Sequence, residues 1–396
     1  MQVQVRSGDS LWYYSQLFLI PFNLIADSNP GINHNLLQIG QRVRIPGFYI
    51  QQHTVRPGDT FWRLAAARNL SADALALVNP AVNPNRLMVG QSISLPTRVI
   101  SPMQNRQRPY NLSALSADIN QLQELFPFIK VNTIGYSVLG KPIREIRLGR
   151  GSKKVHFNAS FHANEWITTP ILMALLNTFL LSLTNSTSIR GLSSLPLYQN
   201  VDLSIVPMVN PDGVDLVLNG PPQEMRQQVI DINEGSTDFS NWKANIRGVD
   251  LNNQYPANWE IEKERKEPKA PAPRDYPGDA PLTEPEAVVM AELARENIFD
   301  TVLAFHTQGE EFYWGYEGLE PPESRLLAEE FQRVSGYEAF RYIDSHAGYK
   351  DWFIQEFRKP GFTIELGKGT NPLPLSQFNE MYEKVLGIFL ASLYMQ

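Results

Sequence analysis

Lys154-Val155-His156-Phe157-Asn158-Ala159-Ser160-Phe161-His162-Ala163-Asn164-Glu165-Trp166 runs from an apolar segment into a polar turn. The first six residues read as a strand buried in a sheet. Just past its end, His162 and Glu165 stand three residues apart, close enough for an imidazole and a carboxylate to converge on one point. Open α/β sheets carry their sites beyond the carboxyl ends of their strands, which is where this pair falls. Working outward, residues 143–148, 201–206, 302–305 and 361–365 read as further strands. Helical patterns fill the intervals at 169–183, 284–297, 326–334 and 376–393, with another ending near residue 126. Strands alternating with helices of this length predict an α/β fold, an open mixed sheet with helices on both faces. Residues 260–279 hold 11 charged residues and four prolines and read as a solvated excursion.

Six histidines make the search for chemistry short. His34 and His53 have no acidic companion nearby in the sequence and read as structural; His156, inside the strand, reads as a core histidine. His306 ends the strand at 302–305 just as His162 follows its own. His162, Glu165 and His306 would offer Zn²⁺ three ligands and leave a fourth position for water. With no cysteine in the chain, a closed structural site lacks its usual fourth ligand. Glu365 is a lone carboxylate late in the strand at 361–365. Burying it unpaired would cost several kcal/mol, so it is expected to face a polar site as a general base.

The N-terminal part repeats itself at an offset of 50 residues. Val5-Arg6-Ser7-Gly8-Asp9 returns as Val55-Arg56-Pro57-Gly58-Asp59, Trp12 as Trp62, Asn29-Pro30 as Asn79-Pro80, and Gly40-Gln41 as Gly90-Gln91. Each unit reads as a small βααβ module, with Trp12 and Trp62 as anchors of the two cores. The repeat resembles the LysM module, a binder of N-acetylglucosamine-containing glycans. That resemblance implies glycan contacts at Gly8, Asp9 and Pro30, and at Gly58, Asp59 and Pro80. The expected boundaries are 1–48 and 51–97 for the modules, 98–110 for a linker, and 111–396 for the large domain.

Composition bounds the function. The 396 residues carry 35 Lys+Arg against 41 Asp+Glu, net −6, which argues against a nucleic-acid partner. Residues 1–96 alone hold 7 Arg against 4 Asp, a net +3. No signal peptide is visible, and the apolar run at 172–183 is shorter than the roughly 20 residues a membrane span needs. A monomer without a membrane span is expected.

The large domain resembles the M14 zinc carboxypeptidases. Their split ligand set is followed here in order by Asn210-Pro211-Asp212-Gly213, Gly248-Val249-Asp250-Leu251-Asn252, the His306 strand and the Glu365 strand. The resemblance implies one Zn²⁺ per chain on His162, Glu165 and His306, with Glu365 as the base and Asn252 as a substrate-carboxylate ligand. Two departures stand out. Where the family has Asn-Arg, this chain has Asn252-Asn253, so the carboxylate clamp lacks its guanidinium. The family's oxyanion cation falls near Lys243, with Arg247 a rival, and its phenol falls on Ile343, leaving Tyr342 or Tyr349 to serve.

Together the two resemblances imply a peptidase acting on peptidoglycan stem peptides and tethered to the glycan strands. M14 members of this kind include the γ-D-glutamyl-L-diamino acid endopeptidases of spore-forming bacteria, which cut between γ-D-Glu and meso-diaminopimelate. A sporulation-associated role follows, in the cytoplasm of the sporulating cell or in the spore or cell wall. The alternatives are an ordinary wall-bound metallocarboxypeptidase and an inactive peptidoglycan-binding protein.

Overall fold

A computed structural model describes residues 1–101 and 108–395. Most of the expected linker, 102–107, lies outside the described residues. The chain divides into two compact units: residues 1–104 with 118–130 and 177–196, and residues 105–117 with 131–176 and 197–396.

In the first unit, strands β1 (Gln2–Gln4) and β2 (Arg42–Arg44) pair antiparallel, as do β3 (Phe48–Thr54) and β4 (Ser92–Arg98). Two short helices lie between the strands of each pair, giving two βααβ modules. The repeated residues explain the repeated fold. Ser10 and Thr60 cap their helices by accepting from the N–H groups of Tyr13 and Arg63. Asn29 donates to Ile25 O and Arg44 O and accepts from Arg44 N–H, stapling the second helix to the last strand; Asn79 does the same with Leu75 and Ser94. Gly8 and Gly58 hold φ of +85° and +82° in the turn that leads into the first helix.

Two expectations fail here. Trp12 and Trp62 are 63% and 74% exposed, and neither anchors a core. In the second module that work falls to Val55, Phe61, Leu64, Leu75, Ile93 and Leu95. The tryptophan is the second residue of a helix whose first residue, Leu11 or Phe61, points inward, so its own side chain turns out. His53 does have an acidic companion: its Nε2 lies 2.8 Å from Asp59 Oδ2.

The second unit is built on a sheet of eight strands: β5 (Lys130–Tyr136), β6 (Pro142–Gly149), β7 (Lys153–Ala159), β10 (Val201–Val206), β11 (Thr301–His306), β12 (Glu311–Tyr313), β13 (Glu338–Phe340) and β14 (Gly361–Glu365). A separate two-stranded hairpin, β8 (Ser188–Ile189) with β9 (Leu192–Ser193), belongs to the first unit. The sheet order is β13-β12-β14-β11-β7-β10-β6-β5, with β7, β10, β11 and β14 parallel at its centre. Antiparallel contacts of β6 with β10 and β12 with β14 make the sheet mixed, and helices cover both faces. The central strands are almost wholly buried, which is why their sequences are continuous apolar runs. His156 is a core residue as expected: it stacks on Phe299 at 4.6 Å, and burial pushes its pKa down to about 3.

The apolar run near residue 172 belongs to the helix Thr168–Asn185. A stretch within Ala163–Asn185 is long and apolar enough to cross a membrane, so it is not too short as the sequence suggested; 89% of that window is buried inside the protein. The charged excursion at 260–279 begins with a helix, Trp259–Arg265, whose Trp259 and Glu262 are buried. Glu262 can be buried because Arg265, Lys266, Asn253 and the N–H of His346 surround it.

Candidate metal centre

Three neighbouring parallel strands deliver the site. His162 and Glu165 sit in the turn just beyond β7, with Glu165 in the short 3₁₀ turn Ala163–Glu165. His306 is the last residue of β11, and Glu365, the last residue of β14, is its direct register partner. All three expected ligands are at most 6% exposed.

The donor atoms converge. His162 Nδ1 lies 2.9 Å from Glu165 Oε1, His306 Nδ1 lies 3.0 Å from Glu165 Oε2, and the two Nδ1 atoms are 3.2 Å apart. Four donors held tetrahedrally at zinc's bond length of about 2.0–2.1 Å are about 3.3 Å from one another. The three separations, two of which run to different oxygens of Glu165, are a little under that edge, so the residues fit one Zn²⁺ per chain.

The surroundings orient these donors. His162 Nε2 lies 3.2 Å from Asp250 Oδ1. Nδ1 is the nitrogen that faces Glu165 and His306, so with a metal on Nδ1 the ring's proton sits on Nε2 and is donated to Asp250, a carboxylate that can only accept. Asp250 also accepts from Asn252 N–H, which fixes the turn that follows it. Glu165 accepts from Thr307 N–H at 3.2 Å and from Asn371 Nδ2 at 3.4 Å. Asn371 exchanges two further hydrogen bonds with Thr307, a support that no motif in the sequence announced.

Charge sets the protonation. Burial works against the His162 imidazolium, but the Glu165 and Asp250 carboxylates outweigh it and raise the pKa to about 9. Glu165, despite burial, is held below the usual carboxylate range by His162 and His306. Glu365 behaves oppositely: burial and the neighbouring Glu165 charge push it up to about 8. A dication among the three ligands opposes that rise. Lys243 is kept charged, against burial, by Asp250 and Glu165, and its own field acts on His162, His306 and Glu365.

The remaining candidates divide. Arg247 is exposed and turned toward Glu284 at 3.5 Å, which leaves Lys243 as the cation whose charge reaches the ligands. Asn252 uses Oδ1 to accept from Tyr349 N–H at 3.1 Å. Asn253 directs its amide at Glu262 and His346 O, at 3.3 and 3.4 Å. The ring of Tyr349 is fully buried among Phe161, Tyr255 and Trp352. Tyr342 is half-exposed and donates to Glu320. In the modules, Pro30 and Pro80 are exposed, whereas Asp9 and Asp59 are occupied in their own turns by the N–H groups of Arg6 and Arg56.

Comparison with known proteins agrees with this geometry. The zinc carboxypeptidase (peptidase M14) family model matches residues 115–386, and the LysM domain model matches 3–46 and 53–96. The chain is 61% identical over 397 residues to gamma-D-glutamyl-L-diamino acid endopeptidase 1 of Lysinibacillus sphaericus, covering 100% of both chains. It is 50% identical over 295 residues to the uncharacterized protein YqgT of Bacillus subtilis, covering 73% of this chain and 78% of that one. Carboxypeptidase A from Helicoverpa armigera shares the fold with a TM-score of 0.55 at 18% identity, over 81% of this chain and 79% of that one. The chain therefore belongs to the zinc carboxypeptidase family, with two LysM domains at its N-terminus and a His162–Glu165–His306 cluster able to hold one zinc ion.

Proposed function

We propose that this protein is a zinc peptidase that hydrolyses the γ-D-glutamyl–meso-diaminopimelate bond of peptidoglycan stem peptides while its LysM domains hold the glycan. The observation that carries this reading is the full-length 61% identity to an endopeptidase of that name, in a chain whose three ligands and Glu365 all converge. Both bacterial relatives support a bacterial origin, and a wall or spore setting follows from the substrate.

When bound, zinc polarises the scissile carbonyl and acidifies water. Glu365, strand-held beside His306, takes a proton from the attacking water and returns it to the nitrogen of the leaving diaminopimelate, so one water is consumed per bond cut. Lys243 sets a positive charge where the carbonyl oxygen gains negative charge. Asn252 and Asn253 leave the substrate's carboxylate without a guanidinium fork, and Asn253 is engaged with Glu262. A free α-carboxylate beside the scissile bond is thus a poor handle, and the ordinary carboxypeptidase reading loses support. Lys350, buried beside Asp351 on the helix that meets Asn252, is the cation we assign to a carboxylate of the diamino acid.

The test is to incubate the protein with L-Ala-γ-D-Glu-meso-diaminopimelate, with and without a terminal D-Ala, and identify products by mass. Release of L-Ala-D-Glu from both is expected, and hippuryl amino acids should turn over far more slowly. Faster hippuryl cleavage, or complete loss of cleavage when D-Ala is added, would replace this reading with the carboxypeptidase one.

A further inference from the structure

The two LysM domains are not independent beads. Arg6, in the first module, makes a bidentate pair with Asp73, in the second, at 2.8 and 2.6 Å. Tyr13 OH donates to the same carboxylate at 2.6 Å. Arg6 also reaches Asp9, in the turn that opens its own first helix, at 3.1 and 3.2 Å, and Tyr14 OH adds a bond to Asp9 at 2.8 Å.

This arrangement breaks the 50-residue repeat. The second module has Arg63 and Leu64 where the first has Tyr13 and Tyr14, and the first has Asn23 where the second has Asp73. These residues have thus diverged from the shared module plan at the places where the two modules meet. An exposed ion pair alone is worth little, but a planar two-point pair with a third donor fixes an orientation as well as a distance.

Two cavities lie in this part of the chain, and the larger is lined in part by Arg6 of the clamp. One, of about 420 Å³, is lined by Pro30, Gly31 and Ile32 of the first module and by Gln2, Arg42 and Arg44. The other, of about 760 Å³, lies between the modules, again touches Gln2 and Arg42, and reaches Pro80 and Ser94 of the second module. Both are lined by Gln2 and Arg42, so a trough running past these two residues would join the Pro30 loop of the first module to the Pro80 loop of the second. Each cavity falls within the roughly 300–1,000 Å³ of ordinary ligand sites.

The charged residues lining the two cavities, Arg6, Arg42 and Arg44, all come from the first module. Alternation along β2 puts Arg42 and Arg44 on the same face. Neither has an ion pair among the described residues, and their counterparts in the second module are the neutral Ser92 and Ser94. Unpaired guanidinium groups along a sugar-sized trough select a polymer bearing carboxylates over a neutral one.

We propose that the two modules bind a single glycan chain along this trough, from Pro30 past Gln2 and Arg42 to Pro80, with Arg6–Asp73 holding the register and Arg42 and Arg44 meeting the chain's carboxylates. The chemical class is a β-linked N-acetylhexosamine oligomer whose lactyl carboxylates are free, as on the sugars of the chain that bear no stem peptide. This rests on the peptidoglycan reading above but adds a length threshold and a charge preference to it.

The experiment titrates the full-length protein with two oligosaccharide series: neutral N-acetylglucosamine oligomers of two to eight sugars, and peptide-free muramyl oligomers of matched length. The expected result is a rise in affinity of at least tenfold once the chain is long enough to span both loops. Asp73→Ala should erase that rise and leave short-chain affinity within twofold. Arg42→Ser with Arg44→Ser, which installs the second module's own residues, should weaken muramyl oligomers at least fivefold and neutral ones less than twofold. The proposal is overturned if long chains gain only the twofold expected of two separate sites, or if Asp73→Ala keeps the rise. It also fails if the double serine variant weakens both series equally. Binding of no oligomer at any length would overturn the peptidoglycan-binding reading as well.

Discussion

At His162, two hydrogen bonds decide what the ring can do. Asp250 holds the Nε2 proton, and Nδ1 is left facing Glu165 and His306. His162→Ala should therefore abolish zinc binding and hydrolysis while glycan binding persists; full zinc occupancy in that variant, measured by metal analysis, would contradict the ligand assignment. Asp250→Ala keeps every ligand but frees the ring. Loss of such a supporting carboxylate weakens metal affinity by about 10–100-fold, so competition with a chelator should strip zinc from it at far lower chelator concentration. Glu365→Gln should keep both metal and fold and lower kcat by about 10²–10⁴-fold, since an amide cannot accept the proton. A kcat within threefold of the parent would move the base elsewhere. His306 and Glu365 were legible because each ends an apolar strand with a polar side chain, and His162 and Glu165 because they stand in the polar turn just past one. The supports were not: Asn371 and Thr307 lie in turns with no periodicity, and only the folded chain brings them to Glu165.

Among the elements, the buried central strands could be read from sequence because parallel strands covered on both faces are continuous apolar runs. The edge strands β12 and β13 are three residues each, too short to carry a pattern. The helix Tyr349–Phe357 escaped because its apolar residues pack in an aromatic cluster whose members come from distant segments. The helix Pro285–Asn297 holds a pH-dependent cost in its first turn. Glu286 is fully buried there, near Asp212, and accepts from Val138 N–H and from Asn245. Burial pushes its pKa up to about 7 from an ordinary 4.5. Between those values the folded chain holds a proton that the unfolded chain has released, so stability falls as pH rises through that window. The loss is on the order of 3 kcal/mol. Glu286→Gln removes the titration. Its melting temperature should match the parent's near pH 4, and the gap should open in its favour up to about pH 7 and then level off. A gap that stays flat from pH 4 to pH 8 would mean that Glu286 is not held protonated.

On the scale of the whole molecule, the segment after the second module looked like a tether because Pro96, Thr97 and Arg98 resemble a strand end followed by polar linker. Instead Pro96, Thr97 and Arg98 pair with Ile50, Tyr49 and Phe48, and the strand continues to Arg98. Cross-strand pairing to residues nearly 50 positions away is invisible to local pattern. The same corner ties the modules to the ends of two long helices within the first unit. Gly47 donates to Leu125 O at 2.7 Å, and Arg98 donates to Thr184 O at 2.6 Å and Phe18 O at 2.7 Å. Gly47 has φ of +71°, and a Cβ there would lie 2.6 Å from Thr184 Cβ. Only glycine lets the backbone approach that closely in that conformation. Gly47→Ala should cost about 1–3 kcal/mol through backbone strain and overpacking, read as a lower melting temperature of the full chain. The zinc ligands, Lys243 and Glu365 all belong to the other unit, so kcat/KM on the soluble tripeptide should stay within twofold at temperatures where the variant remains folded. An unchanged melting temperature would show that this corner is loose enough to move aside, and that the modules are held only by their own cores and the Arg6–Asp73 clamp.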